Sequence, residues 1–286
     1  MKLIDIITGP RPSLSFEVFP PKTWDTYESI KTATEEIASL HPSYMSVTYG
    51  AGGGTSQHTI SIAANIQDKF NVPTIAHLTC ISSSRTQVKE QLMKLKEAGI
   101  TNILALRGDM PKDMTTKSLD YKYASQLIED ILEVGDFCIG GACYPEGHPE
   151  SGTWMNDVKY LKEKVDAGCQ FLTTQMFFDN NILYNFMYRI REAGINVPVV
   201  AGIMPVTNAA QLNRIRTISG NSLPQRFIRI ADRFGDNPEA MKQAGIAYAT
   251  EQVIDLLANG INAVHIYSMN KPEVARAIQA NLSEII

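Results

Sequence analysis

The chain has 286 residues, 44% hydrophobic and 20% charged, with a formal net charge of -4. This is the balance of an ordinary globular protein in the size range of one large α/β domain, and the lack of a basic run argues against a nucleic-acid or anionic-membrane surface. No apolar run approaches the roughly 20 residues of a membrane span, and residues 1–8 lack the apolar core and cleavage site of a secretory signal, so a cytoplasmic protein is expected.

Short β-rich runs alternate with helical patterns. The first strand is read at 14–19 and stops at Pro20 and Pro21, which cannot continue a ladder. A helix follows over 24–40, where Tyr27, Ile30, Ala33 and Ile37 recur at three- and four-residue spacing. The second strand, 44–49, runs into a glycine-rich loop, Gly50 to Gly54. The third is read at 74–80, and a helix over 86–98 closes at Gly99, the usual place for a helix C-cap. The fourth strand, 102–106, ends in Arg107-Gly108-Asp109, and the fifth, 137–143, in Tyr144-Pro145-Glu146-Gly147-His148. A helix at 155–167 ends at Gly168, a sixth strand spans 171–178, and its helix at 182–193 ends at Gly194. The seventh strand, 198–204, is followed by helical patterns at 208–218, 224–233 and 238–259. An eighth strand at 263–269 and a helix from 272 onward complete the chain.

Strict alternation implies parallel strands, because each return needs a crossover. Eight such units favour closure into a single-domain (β/α)8 barrel with extra helix between the seventh and eighth strands. In such a barrel the chemistry sits where strands end. The polar residues at those ends are Thr48, His77, Arg107, Asp109, Tyr144, His148 and Gln175, whereas helix-to-strand turns carry plain glycine or Asn-Val-Pro signals. That asymmetry is the first sign pointing to an enzyme.

Glu17 stands between Phe16 and Val18. Strand side chains alternate between lumen and helix layer, so if the two apolar neighbours face the helices, Glu17 faces the lumen. Burial there would raise its pKa and suit it to donate a proton; the alternative is a structural carboxylate paired with a lysine or arginine. Arg107 can grip a phosphate or carboxylate across Gly108, or pair with an acid in a surface turn. His77 suits either a satisfied core position or a site near the strand end. Gly52 to Gly54 lack both the dinucleotide and the Walker spacing and read as a pliant active-site loop. Gln175 and Gln211 could read a heterocycle edge or bond neighbouring backbone. Cys80, Cys138, Cys143 and Cys169 show no Cys-x-x-Cys spacing, so buried free thiols are expected rather than zinc.

The segments SFEVFPP (15–21), SVTYGA (46–51), AHLT (76–79), LRGD (106–109), YPEGHPE (144–150), KVDAG (164–168), TQMFFD (174–179), AGIMPV (201–206) and IYSMN (266–270) stand in one order along nearly the whole chain. In that order and spacing the chain resembles the methylenetetrahydrofolate reductases, in their short bacterial type without an added regulatory domain. The resemblance implies a FAD-containing barrel that reduces 5,10-methylenetetrahydrofolate to 5-methyltetrahydrofolate in one-carbon metabolism leading to methionine. It implies two half-reactions, in which NADH or NADPH reduces the flavin and the folate is then reduced from flavin N5. In some anaerobes a protein partner delivers the electrons. Relatives assemble as homo-oligomers.

Matched residue by residue, Glu17 is the family's general acid. Asp109 is the aspartate near flavin and pterin, whose charge favours a cationic folate intermediate. Gln175 contacts folate and nicotinamide, with Thr48 also near the nicotinamide. Gln211 and Lys271 fall at folate contacts. Thr48, Tyr49, Ala51, His77, Arg107, Gly108, Asp109, Ala124, Tyr144, His148, Asp157 and Lys164 match FAD-binding positions. The best-known bacterial pattern has an arginine at Lys271, an aromatic at Ile215, and an asparagine and an arginine at Tyr160 and Glu163. Against a proline dehydrogenase-type flavin barrel stand SFEVFPP and the Gln175 motif. Against a flavin-free lyase or aldolase stands the lack of a Schiff-base lysine or metal ligands at strand ends. A non-catalytic folate-binding subunit would be expected to lose the acid, and Glu17 is present.

Overall fold

In the computed structural model, residues 1–21, 24–49, 56–110, 119–218 and 222–286 are described. Eight strands, β1 (Ser13–Val18), β2 (Tyr44–Val47), β3 (Thr74–Thr79), β4 (Asn102–Leu106), β5 (Cys138–Cys143), β6 (Phe171–Thr174), β7 (Val199–Ile203) and β8 (Ala263–Ile266), form a closed barrel in chain order. Every neighbouring pair is parallel, including the closing pair β1 and β8, where Ser15 lies opposite His265. The (β/α)8 barrel expected from alternation is the fold observed.

The helices are α1 (Leu3–Ile7), α2 (Tyr27–Ala38), α3 (Ser56–Phe70), α4 (Arg85–Glu97), α5 (Ala124–Val134), α6 (Trp154–Asp166), α7 (Asn180–Glu192), α8 (Ala209–Ile218), α9 (Gln225–Phe234), α10 (Pro238–Ala258) and α11 (Pro272–Asn281). Local chemistry sets several ends. Ser84 and Gln87 make a reciprocal capping box at the start of α4, which satisfies two backbone donors that the first turn leaves orphaned. Gly99, Gly168 and Gly194 follow their helices with φ of 70°, 114° and 75°, the left-handed turn foreseen for them. Among the described residues three helices separate β7 from β8, as the helical pattern indicates.

Alternation along β1 divides the core. Leu14, Phe16 and Val18 pack into the main cluster beneath the helices, with Ile37, Ile62, Leu92, Ile131 and Ile278. Each such buried side chain contributes about 1.5–3 kcal/mol from water exclusion. Inside the barrel a second cluster, Tyr44, Ile75, Leu104, Phe171 and Val200, fills the lumen floor. Helix α1, too short to show a period in sequence and not expected, plugs that floor with Leu3 and Ile7. It is held there by the Leu3 N–H donating to Asn102 Oδ1 at 2.9 Å.

Three strands are shorter than their sequence pattern indicates. The sixth strand ends at Thr174 rather than 178, because Phe177 and Phe178 are buried under helices and not in a ladder; their apolarity imitates a strand. The second and eighth strands stop at Val47 and Ile266, beyond which the chain leaves the barrel as active-face loops. Helices α3 and α5, implied by the count but given no bounds, are present. All four cysteines are buried and free. No described helix is long and apolar enough to cross a membrane.

Candidate active site

Two connected cavities open at the strand C-terminal ends. The smaller, about 280 Å³, occupies the upper lumen and is lined by Glu17, Ser46, Thr48, His77, Thr173, Gln175, His265 and Tyr267, among others. The larger, about 1740 Å³, is a groove over the ends of β3, β4 and β5 toward α6. It is lined by Tyr49, Arg107, Gly108, Asp109, Ala124, His148, Asp157 and Lys164, with Tyr160 and Glu163 also among its walls. Tyr144, Leu106 and Ala142 line both, so the two spaces meet at the end of β4 and β5. Ala51 and the three consecutive glycines lie outside the described residues.

Glu17 faces the lumen, as alternation with the buried Phe16 and Val18 requires. No lysine or arginine pairs with it among the described residues; its neighbours are two histidines, with Oε2 at 3.6 Å from His77 Nε2 and 3.8 Å from His265 Nε2. Each imidazole is held by a serine one strand away. Ser46 Oγ lies 2.6 Å from His77 Nε2, and Ser15 Oγ lies 2.7 Å from His265 Nδ1. The Tyr267 hydroxyl donates to the Thr174 carbonyl at 2.6 Å. Burial, reinforced by Glu17, keeps that phenol protonated by pushing its pKa far upward. His265 and Tyr267 were not singled out from sequence. The available signal was the one that marked His77, a polar residue inside an apolar strand.

Burial pushes the His77 pKa down to about 4, outweighing the opposing pull of Glu17. An unfolded histidine takes up a proton near 6.5; folded His77 does so only near 4. The unfolded chain therefore binds more protons between these values, and stability is lost as pH falls from about 6.5 to about 4. Urea titrations of the wild type and His77→Gln across this range should differ in pH slope, the wild type losing up to about 3 kcal/mol more. Parallel slopes would show that His77 is not kept neutral.

In the groove, Gly108 has φ 86°, and a side-chain carbon there would meet Thr79 and Ile81 at 3.2 Å. Glycine thus carries the backbone around the end of β4 against β3. Arg107 does not pair with Asp109. Its guanidinium is held in a fork by Glu150, at 2.5 and 2.8 Å, so the arginine expected to present itself to a ligand has a resident partner. Lys164 differs: its ammonium donates to the Ala142 carbonyl and makes no ion pair among the described residues. Burial lowers its pKa and raises that of Asp157. His148 sits edge-on to Tyr144 at 4.6 Å, and burial and Arg107 together lower its pKa.

Gln175 has half of its amide engaged, Oε1 accepting from the Met176 N–H at 3.0 Å, while its NH2 has no partner among the described residues and the side chain lines the small cavity. Gln211 and Lys271 line neither cavity. They meet at Thr207, whose N–H and hydroxyl both donate to Gln211 Oε1 and whose Oγ1 accepts from Lys271 Nζ at 2.8 Å. Ile215 is buried beside Phe178, Leu212 and Phe227. Tyr160 stacks on Tyr123 with ring centroids 5.4 Å apart.

A buried-facing carboxyl beneath a long groove with a cationic wall suits proton transfer beside an extended anionic ligand. A family model described as methylenetetrahydrofolate reductase matches residues 2–283 of this chain. The chain belongs to the methylenetetrahydrofolate reductase family. The 5,10-methylenetetrahydrofolate reductase of Pectobacterium carotovorum subsp. carotovorum is 38% identical over 94% of this chain and 89% of its own length. The family member of Escherichia coli (strain K12) is 35% identical over 93% of this chain and 89% of its own. The Arabidopsis thaliana relative, methylenetetrahydrofolate reductase (NADH) 1, is 35% identical over the whole chain, which spans 51% of that protein. An uncharacterized protein from Clostridium thermocellum, described as binding two copies of 5-methyl-5,6,7,8-tetrahydrofolic acid, superposes over all of both chains with a TM-score of 0.70 at 16% identity, and so shares the reductase family's fold.

Proposed function

We propose that the chain reduces 5,10-methylenetetrahydrofolate to 5-methyltetrahydrofolate, with FAD as cofactor and NADH or NADPH as electron source. The observation that carries this reading is the lumen carboxyl of Glu17, open to a polar cavity that joins a groove of dinucleotide size.

The groove fits the cofactor on its own chemistry. Its volume exceeds the roughly 300–1,000 Å³ of ordinary small-ligand pockets. Lys164 faces it as a cation with donors to spare, suited to a diphosphate. Arg107 can join once Glu150, itself exposed at the rim, gives way. FAD, when bound, supplies a two-electron carrier between nicotinamide and folate. Glu17 holds the proton for the folate ring nitrogen whose bond opens, and surrenders it as the iminium cation forms. Asp109 places negative charge on the groove side of Tyr144, which favours that cation. The unpaired NH2 of Gln175 donates to the pterin or nicotinamide edge. The net change consumes one NAD(P)H and one proton per methylene group reduced to methyl.

Purified protein should take up FAD in a titration followed by flavin fluorescence, and Lys164→Met should weaken uptake about tenfold, the value of one charge-assisted hydrogen bond. Anaerobic stopped-flow mixing with NADH and with NADPH identifies the donor, and later folate addition should reoxidise the flavin. Protein that binds no FAD, or reduced flavin that folate leaves untouched, would rule the proposal out.

A further inference from the structure

His77 and His265 both approach Glu17, yet their ring nitrogens are differently committed. His77 uses one nitrogen, Nε2, for Ser46 and for the carboxyl. His265 uses two: Nδ1 for Ser15 and Nε2 for Glu17. The Ser15 hydroxyl carries one proton, and the Val264 carbonyl, 3.1 Å away, is placed to accept it. With that proton on the carbonyl, the 2.7 Å contact with His265 is made by the imidazole donating from Nδ1. A neutral ring protonated at Nδ1 turns a bare lone pair on Nε2 toward Glu17. The order hydroxyl, imidazole, carboxyl looks like an acyl-transfer triad. Here, however, the serine is the wholly buried end and the carboxyl is the end open to the cavity, so the chain of contacts acts on the acid and not on the hydroxyl.

We propose that His265, locked by Ser15 as the Nδ1-protonated tautomer, is a positioning residue that keeps the proton on Glu17 for the folate step. The inference rests on the acid role proposed above. At 3.8 Å, a lone pair aimed at the carboxyl repels the carboxylate and so favours its protonated form. The titratable groups around Glu17 are His77 from β3, His265 from β8 and Tyr267 just after it, Tyr44 from β2, and Tyr144 just after β5. Burial raises all three phenols and keeps His77 neutral. No lysine, arginine or aspartate lines this cavity among the described residues.

The tautomer is read on the unaltered apoprotein, by two-dimensional nitrogen-15 NMR of its five histidines, with the His265 signal assigned by its loss in His265→Gln. The expected pattern is a protonated Nδ1 and a bare Nε2; the reverse would overturn the proposal whatever the variants do. His265→Asn keeps a polar atom toward Ser15 and deletes the one facing Glu17, whereas His265→Gln keeps the latter. In the folate half-reaction, the alkaline fall in rate should move to lower pH by roughly one unit in His265→Asn and much less in His265→Gln. Flavin reduction by nicotinamide should change much less than folate reduction in both. An unmoved profile in His265→Asn, or equal losses of both half-reactions in both variants, would mark a packing role and sink the proposal. Failure of Glu17→Gln to impair folate reduction would instead strike the underlying acid reading, a separable result.

Discussion

Glu17→Gln is expected to slow the folate half-reaction by about 10²- to 10⁴-fold, the usual worth of a positioned general acid, while nicotinamide still reduces bound flavin at close to its normal rate. The amide is nearly isosteric with the carboxyl, so the cavity keeps its shape. What it lacks is a transferable proton. The fold should tolerate the change because Glu17 is not one half of a buried salt bridge: its nearest partners are imidazoles at 3.6 and 3.8 Å, and His77 is neutral at ordinary pH. Removing a carboxylate from a lysine or arginine in the core would strand a charge at a cost of about 3–5 kcal/mol; no such cation is present beside Glu17 among the described residues. Single-turnover measurement of each half-reaction separates the two effects. Equal impairment of both steps would assign Glu17 to architecture and remove it from proton transfer.

A comparably large effect, on stability and not on chemistry, is expected from Gly245→Ala. Gly245 lies within α10, buried where that helix crosses the loop leaving β7, and a side-chain carbon there would sit 1.8 Å from the Val206 carbonyl oxygen. The obstacle is backbone, so no rotamer change relieves it. Either the loop or the whole of α10, whose Met241, Ala249, Val253 and Leu256 are buried, must move. The expected cost is about 3 kcal/mol or more, or roughly 5–10 °C in Tm for a chain of this size. The loop next carries Thr207, which joins Gln211 to Lys271, so displacement should also disturb this corner of the active face. Thermal unfolding within a degree of wild type would show that helix and loop have room for a methyl group and overturn the expectation.

Several features of the protein could be read before any coordinates. Alternation of eight strand-like runs with helical patterns implies parallel pairing and closure, and the barrel in chain order follows. The flanking of Glu17 by Phe16 and Val18 implies an inward carboxyl, because strand side chains alternate faces, and the two apolar neighbours are wholly buried in the helix layer. The strand-end residues Arg107, Asp109, Tyr144, His148 and Gln175 do gather at one end of the barrel. Each of these is a local or periodic property, and local sequence is sufficient to encode it.

What only the tertiary structure decided are pairings between residues far apart in the chain. Arg107 is gripped by Glu150 and not by adjacent Asp109, a choice made where two loops meet. His265 arrives at Glu17 because the last strand closes on the first, with Ser15 opposite it in register, and closure leaves no trace in the spacing of either segment. The tautomer inferred for His265 depends on a single proton of Ser15 going to a carbonyl of the neighbouring strand. Composition and periodicity determine which face a side chain takes; only the three-dimensional register determines what it finds there, because hydrogen-bond and charge partners are set by distances across the barrel that the order of residues does not contain.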